Sequence, residues 1–365
     1  MAISRGEIIL HKYELQSTNI NKMIKNYITS IFLAYSIFSI SGTSTICYAQ
    51  TNKHAKTELS SLNKEVLEHI LNDNKASYKN GLVADYIPEL GKMEAQKIAL
   101  SVVNENGKVI SVGDVNQKFT IQSISKIIAL MIAVNEKGEK NIFDKMGYYG
   151  TDKPFNYFAN LDGNGKPLNP LMNAGAILTT SLIDGEGEIP FRKILEMVRY
   201  ITKNNTIDYS KTVYNSEKET GHRNRGMFYI MKNSGLIAAN DEEKLNNYFK
   251  QCSIEVTAED LAKIGYFFGH QCTRFDGDTT YKNPEVSQLV QSIMLTAGMY
   301  EYSGEYSRNV GLPSKSGVGG GITVSVPNKI GIGVFSPALD KQGNSVAGYN
   351  MILELVKNYH LSLFN

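Results

Sequence analysis

Ser123 and Lys126 stand three residues apart in Phe119-Thr120-Ile121-Gln122-Ser123-Ile124-Ser125-Lys126, directly ahead of the apolar run from Ile127 to Val134. On a helix that spacing puts both side chains on one face, one turn apart. A lysine amine in a dry site gives up its charge more readily than in water, and the neutral amine can take a hydroxyl proton. The pair therefore suits a serine nucleophile with a lysine base, working through an acyl-enzyme. The spacing occurs twice, however, because Ser61-Leu62-Asn63-Lys64 repeats it in polar, charged surroundings. Nearer the C-terminus, Lys315-Ser316-Gly317 has the Lys-[Ser/Thr]-Gly form that accompanies Ser-x-x-Lys in serine acyl-enzymes. A strand edge there offers a backbone N–H to an oxyanion, and the N–H of Ser123 supplies a second donor. The glycines around Val318 let the backbone come close to a substrate. Losing one such donor costs about 3–4 kcal/mol of transition-state stabilisation. The stretch does not match a phosphate cradle, since Gly-x-x-x-x-Gly-Lys-[Ser/Thr] is absent.

These residues need elements to hold them. Ahead of Ser123, Ile98 to Val103 and Val109 to Val112 read as two strands joined at Asn106-Gly107, a favoured two-residue turn. Upstream, apolar spacing through Val66, Leu67, Ile70 and Leu71 predicts a helix near 58–73. Gly81 to Leu90 reads as irregular because Pro88 disfavours helix before it. Residues 140–300 read as mainly helical. Pro190 opens one helix through Ile201, Thr257 to Asp260 has the form of a capping box, and Asn283-Pro284 starts another. After Lys315-Ser316-Gly317 the period turns to strand over Ile322–Val326 and Ile330–Phe335, and Ala347 to Leu363 has the spacing of a closing helix. Strands at both ends with helices between predict an α+β fold, one antiparallel sheet assembled from the two ends of the chain plus a helical lobe. A cleft between the two lobes is the expected home of a small-molecule site.

At 365 residues with 42% hydrophobic and 20% charged residues, the chain is globular in composition. A net charge of +2 argues against nucleic acid as a partner. The six histidines are scattered without ligand spacing, and no Cys-x-x-Cys occurs, so neither a metal nor a cofactor is expected. Lys22 and Lys25 lead into the uncharged run Tyr27–Ile40, followed by small residues and Cys47-Tyr48-Ala49. That is the form of a secretory signal peptide, with Met23 as a compact alternative start. Residues 1–50 are therefore expected to be a signal peptide or an N-terminal extension, 51–64 a linker, and 65–365 the catalytic domain. Within it, a sheet lobe should span about 65–118 and 308–365, and a helical lobe about 119–307. Cleavage would place the protein in the periplasm or outside the cell; without it the protein would be cytoplasmic. Cys252 and Cys272 would remain, either paired or, in the plainer reading, free and buried.

Further segments narrow the chemistry. Gly81-Leu82-Val83-Ala84-Asp85-Tyr86-Ile87-Pro88-Glu89-Leu90, Gln122 to Lys126, Asn169-Pro170-Leu171-Met172-Asn173-Ala174-Gly175-Ala176 and Ser216 to Asn224 resemble, in order and spacing, motifs of the serine-dependent glutaminase family. So do Tyr248 to Val256, Gly298-Met299-Tyr300, Gly311 to Ile322 and Gly343 to Val346. The resemblance covers roughly residues 60–362. It implies a β-lactamase/penicillin-binding-like fold in three layers, α/β/α, and hydrolysis of L-glutamine to L-glutamate and ammonia. Carried over, it makes Ser123 the nucleophile and Lys126 its base. Tyr86 and Tyr300 stand at the reacting centre, Tyr300 relaying a proton to the leaving ammonia, and the N–H groups of Ser123 and Val318 form the oxyanion hole. Asn173, Glu217, Asn224 and Tyr248 hold the two α-substituents of glutamine. A carboxylate suits an α-ammonium, while amides and a phenol can donate to an α-carboxylate. The resemblance also implies a homo-oligomer, a tetramer by default.

Departures are few: Leu82 and Leu171 replace residues of variable size, and Ser125 adds a hydroxyl beside the base that is a rival nucleophile. Two other functions compete. A β-lactamase or penicillin-binding hydrolase would need a further motif of the Tyr-x-Asn kind, which Tyr281-Lys282-Asn283 matches in form. A non-catalytic amino-acid-binding domain would not need the nucleophile and base.

Overall fold

The structure, a computed structural model, describes residues 58–238 and 242–365. The expected signal segment and the first half of the linker lie outside those residues. In chain order the described elements begin with α1 (Lys64–Asn74), β1 (Leu82–Val83), β2 (Ala99–Val103), β3 (Val109–Gly113) and β4 (Phe119–Thr120). A helical series follows: α2 (Ser125–Lys137), α3 (Glu139–Phe143), α4 (Asn173–Leu182), α5 (Ile189–Thr202), α6 (Lys211–Thr220), α7 (His222–Asn233) and α8 (Glu242–Cys252). The chain then passes through β5 (Glu255–Val256), α9 (Ala258–Gly269), α10 (Pro284–Ala297) and α11 (Ser303–Asn309). It closes with β6 (Ser314–Ser316), β7 (Gly321–Val326), β8 (Ile330–Phe335), β9 (Ala338–Leu339) and α12 (Val346–Tyr359).

The expected sheet forms from both ends of the chain. Five strands run in the order β3-β2-β8-β7-β6, every neighbouring pair antiparallel. β2, β7 and β8 are buried along their whole length, so both faces are covered. α1 and α12 pack on one side, where Leu67, Ile70, Met351, Ile352 and Leu355 join the apolar side chains of the sheet. α9 covers the other side, which gives the three α/β/α layers. Its close approach depends on alternate glycines of β8. A Cβ at Gly331 would lie 2.1 Å from the Ala262 carbonyl oxygen, and one at Gly333 2.1 Å from that of Ala258. The helical lobe is built around α2, whose residues from Ser125 to Val134 are all buried. Each large side chain there contributes about 1.5–3 kcal/mol of burial.

Several local expectations shift. α1 starts at Lys64 rather than near 58, because the Asn63 side chain accepts from the Val66 N–H and caps it. Ser61 thus lies in the preceding 3-10 turn Leu59–Ser61, and Lys64 is a solvent-facing residue paired with Glu68. The turn after β2 has three residues, 105–107, rather than two. Asn104 and Lys108 close it, and the Asn104 side chain accepts from the N–H groups of Asn106 and Lys108. Gly81 to Leu90 is not wholly irregular, since β1 pairs with β9. The capping box at Thr257 forms with both of its hydrogen bonds. α12 ends at Tyr359, short of Leu363, where His360 turns left-handed. Cys252 and Cys272 are both free and buried. Among the described residues His69, Asp73 and Glu354 bring possible ligand atoms within 4.8 Å of one another, a grouping the scattered histidines concealed. His69 and Asp73 are an exposed i,i+4 pair, and Asn74 donates to Glu354.

Candidate active site

Ser123 lies in a 3-10 turn, Gln122–Ile124, that feeds directly into α2. The segment before it is pinned: β4 pairs with β5, and the Ile121 N–H donates to the Ile254 carbonyl at 2.8 Å. Ser123 faces a cavity of about 570 Å³. Tyr86, Asn173, Glu217, Asn224, Tyr248 and Val318 line the same cavity, so seven of the nine residues singled out from sequence meet there. The other two, Lys126 and Tyr300, are fully buried behind its wall. Tyr86 is 51% exposed as a whole residue. Desolvation first, and Tyr300 and Glu217 next, nevertheless push its hydroxyl well above the ordinary value, so the phenol end points into the site.

Lys126 is held by the turn ahead of α4. The Asn169 side chain accepts from the N–H groups of Leu171 and Met172, fixing the approach to the helix. Lys126 Nζ then donates to the Leu171 carbonyl at 2.9 Å and to Asn173 Oδ1 at 2.7 Å. Asn173 in turn donates to Asn224 Oδ1 at 3.0 Å, which leaves the Asn224 amide group facing the cavity. Burial pushes the Lys126 amine down to about 8, with Cys252 and Glu217 opposing. Glu217, on α6, is pushed up to about 8 by burial, against the pull of Lys126 and a hydrogen bond from Gln122. Its Oε2 is buried without a partner, an acceptor waiting for a donor. Tyr248 and Cys252 both come from α8, and burial raises both well above their ordinary values.

Opposite Ser123, the Tyr300 hydroxyl donates to the Ser316 carbonyl at 3.2 Å. Burial pushes the phenol up to about 12, tempered by its neighbours Ser123 and Ser316. Lys315 is buried with its Nζ 4.2 Å from the Tyr300 ring centre. Its amine donates to the carbonyls of Gly298 and Ser316 at 3.0 and 2.6 Å. Desolvation first, and the charge of Lys126 second, hold it well below the ordinary lysine range. Val318 sits in the turn after β6, and its N–H donates to no backbone carbonyl among the described residues. A buried serine with a low-pKa lysine, free N–H groups and an orphan carboxylate can open an amide bound as an α-amino acid.

Sequence reasoning missed three contributors. Gln122 lines the cavity and supports Glu217, and Cys252 forms part of the wall. Lys315 was read for its backbone, yet its side chain stacks on Tyr300. Gln122 was legible as the neighbour of Ser123; nothing in spacing pointed to Cys252. Ser125 is not a rival nucleophile: it is fully buried and donates to the Gln122 carbonyl at 2.7 Å. Tyr281-Lys282-Asn283 does not supply a third motif, because Asn283 caps α10 and Tyr281 is 41% exposed.

The family model described as Glutaminase matches residues 81–364. A glutaminase of Clostridium botulinum (strain Kyoto / Type A2) is 45% identical over 303 residues, covering 82% of this chain and 99% of that protein. Among solved structures, the probable glutaminase YbaS is 34% identical with a TM-score of 0.78, covering 83% of this chain and all of that one. The Bacillus subtilis glutaminase YbgJ, in covalent complex with 5-oxo-L-norleucine formed by its reaction with 6-diazo-5-oxo-L-norleucine, is 32% identical with a TM-score of 0.75. It covers 82% of this chain and 99% of that one.

Proposed function

The chain belongs to the glutaminase family and hydrolyses L-glutamine to L-glutamate and ammonia, and from that premise we propose how its residues divide the work. Neutral Lys126 takes the proton of Ser123, whose oxygen attacks the side-chain amide carbon of glutamine. The developing oxyanion is met by the N–H groups of Ser123 and Val318. Tyr300 relays to the leaving nitrogen the proton that Lys126 took, and ammonia departs. Water then hydrolyses the glutamyl ester, its proton returning to Ser123 along the same path. Glu217 receives the α-ammonium, and the Asn224 amide and Tyr248 hydroxyl the α-carboxylate. Asn173 completes the ligand set while holding Lys126. Tyr86 closes the rim. The observation that carries this reading is the convergence of Ser123 with the partnerless Glu217 oxygen on one cavity, with Lys126 buried behind it. It is tested by ammonia release from glutamine. Ser123→Ala should lose activity by at least a thousandfold with the fold intact, and unchanged release would overturn the assignment.

We further propose that the protein is a homotetramer and is exported. Phe158, Tyr229 and Ile230 are 40–48% exposed, and Phe158 packs beside Gly226 of α7, the helix that carries Tyr229 and Ile230. Exposed apolar side chains grouped in this way suit a subunit contact. Light scattering on the purified protein tests the assembly, a monomeric mass overturning it. N-terminal sequencing of the mature protein tests export, and an intact Met1 end would refute cleavage.

A further inference from the structure

Seven non-glycine residues among those described have positive φ. Five follow helices or sit in turns: Lys203 and His360 end α5 and α12, Gln271 and Cys272 come after α9, and Asn328 lies between β7 and β8. The other two, Gln122 (φ 49°) and Tyr300 (φ 57°), begin helical turns instead of ending them, and both belong to the site. Their surroundings match step for step. Gln122 opens the 3-10 turn Gln122–Ile124, and α2 starts at Ser125. Tyr300 opens the 3-10 turn Tyr300–Tyr302, and α11 starts at Ser303. Ser125 Oγ donates to the Gln122 carbonyl at 2.7 Å, and Ser303 Oγ donates to the Tyr300 carbonyl, also at 2.7 Å. Both serines are buried.

Left-handed backbone at a side-chain-bearing residue is strained and persists only where its surroundings over-determine it. Each serine hydroxyl is itself oriented. Ser125 accepts from Gln251 Nε2 at 3.3 Å, and Gln251 Oε1 accepts from Thr180 at 2.8 Å. Ser303 accepts from the Met299 N–H at 3.0 Å, so it ties both sides of the Tyr300 peptide. We infer that Ser125 and Ser303 are paired positioning residues, two copies of one backbone clamp. The first aims the nucleophile through Gln122; the second aims the proton-delivering phenol. The inference rests on the proposed roles of Ser123 and Tyr300.

The test separates the two clamps from each other, from packing, and from the roles they serve. Inactivation by 6-diazo-5-oxo-L-norleucine at saturation reads the nucleophile: the Ser123 oxygen bonds the diazo carbon as N2 leaves, and the proton that carbon gains is the one Ser123 gives up. Hydrolysis of an L-glutamate γ-thioester, whose leaving group needs no proton, is compared with that of glutamine to read Tyr300. Ser125→Ala should slow inactivation and the turnover of both substrates by about 10- to 100-fold, since small misplacements of reacting groups carry penalties of that size. Ser303→Ala should slow glutamine turnover by a similar factor while leaving inactivation and thioester hydrolysis within about threefold. Cysteine fills the serine volume but donates weakly. Ser125→Cys and Ser303→Cys should therefore behave like the alanine variants, and cysteine variants with wild-type rates would show packing and overturn the clamps. These variants also keep the question answerable if an alanine variant does not fold. Equal loss on all three readouts in Ser303→Ala would refute its specific role. Ser123→Ala and Tyr300→Phe serve as controls. If Ser123→Ala is still labelled, or Tyr300→Phe shows no dependence on leaving group, the assigned roles fail rather than the clamps.

Discussion

Titration of the base is the most direct quantitative check on the proposed chemistry. Lys126 must be neutral to accept the Ser123 proton, and burial brings its amine from 10.5 to about 8. At pH 7.5 a group of pKa about 8 is roughly one-quarter neutral, whereas one at 10.5 is neutral in about one molecule in a thousand. Burial therefore supplies roughly 200-fold more base, or about 3 kcal/mol. Because the shift is downward, activity must rise with pH through about 8. Between pH 8 and pH 6 the neutral fraction falls from about one-half to about one-hundredth, so kcat should drop about 50-fold. The free enzyme carries a second requirement. Glu217 is also pushed to about 8, and below that pH it holds a proton that an α-ammonium must displace. kcat/KM should therefore fall more steeply, its logarithm approaching a slope of two below pH 7. The two groups interact, so the apparent values belong to the pair. Once glutamine is bound its ammonium keeps Glu217 ionised, and the slope in kcat should be one. Initial rates of ammonia release from pH 6 to 9 supply both curves. Glu217→Gln should reduce the acid slope of kcat/KM from two to one while raising KM. A kcat unchanged from pH 6 to 9 would remove Lys126 as the base. A single slope in both constants would remove Glu217 as the ammonium partner.

Two shorter predictions accompany it. Lys126→Arg keeps the positive charge but cannot give it up, so ammonia release should fall by about 10³-fold, and near-normal turnover would place the base elsewhere. Gly175→Ala should destabilise the protein by about 2 kcal/mol or more in urea unfolding. Its Cβ would lie 1.9 Å from the Asn169 carbonyl oxygen in the turn that sets Asn173 and Leu171 against Lys126, and an unchanged midpoint would contradict that packing.

What could be read in advance depended on how local each cause is. The strands on either side of Asn104, the capping box at Thr257 and the start of α10 at Asn283 follow from residues within a few positions of one another, and they appear as expected. Errors came where a nearby side chain competed: Asn63 moved the start of α1, and Asn104 lengthened a turn by one residue. The second Ser-x-x-Lys could be set aside only by context, and the structure gives the physical reason, since Ser61 and Lys64 straddle two elements while Ser123 and Lys126 share one continuous helical path. Beyond the Ser-x-x-Lys and Lys-Ser-Gly spacings, the residues that meet at the cavity were read only through family motifs. No spacing rule brings Tyr86, Glu217 and Val318 to one cavity, because the sheet and helices between them do that. Least legible was backbone conformation. Glutamine and tyrosine are poor residues for positive φ, so nothing in their type announces it, and the serines that hold them look like ordinary helix starts.

The two buried lysines show why one is suited to be the base. Lys315 faces carbonyl oxygens and the Tyr300 ring, with no carboxylate among its hydrogen-bond partners, and both burial and Lys126 press it toward neutrality. Burial lowers Lys126 as well, but Cys252 and then Glu217 favour its charged form, and Glu217 does not act on Lys315. In the proposed mechanism the charge from the Ser123 proton would therefore go to Lys126, where a carboxylate and the new oxyanion would offset it. Were Lys315 charged as well, two ammonium groups would share a low-dielectric site and the proton would be refused. With its amine held well below the ordinary lysine range, Lys315 donates to the Ser316 carbonyl that receives the Tyr300 hydroxyl. In the proposed mechanism it would thus hold the phenol in place without competing for the proton that the phenol passes on.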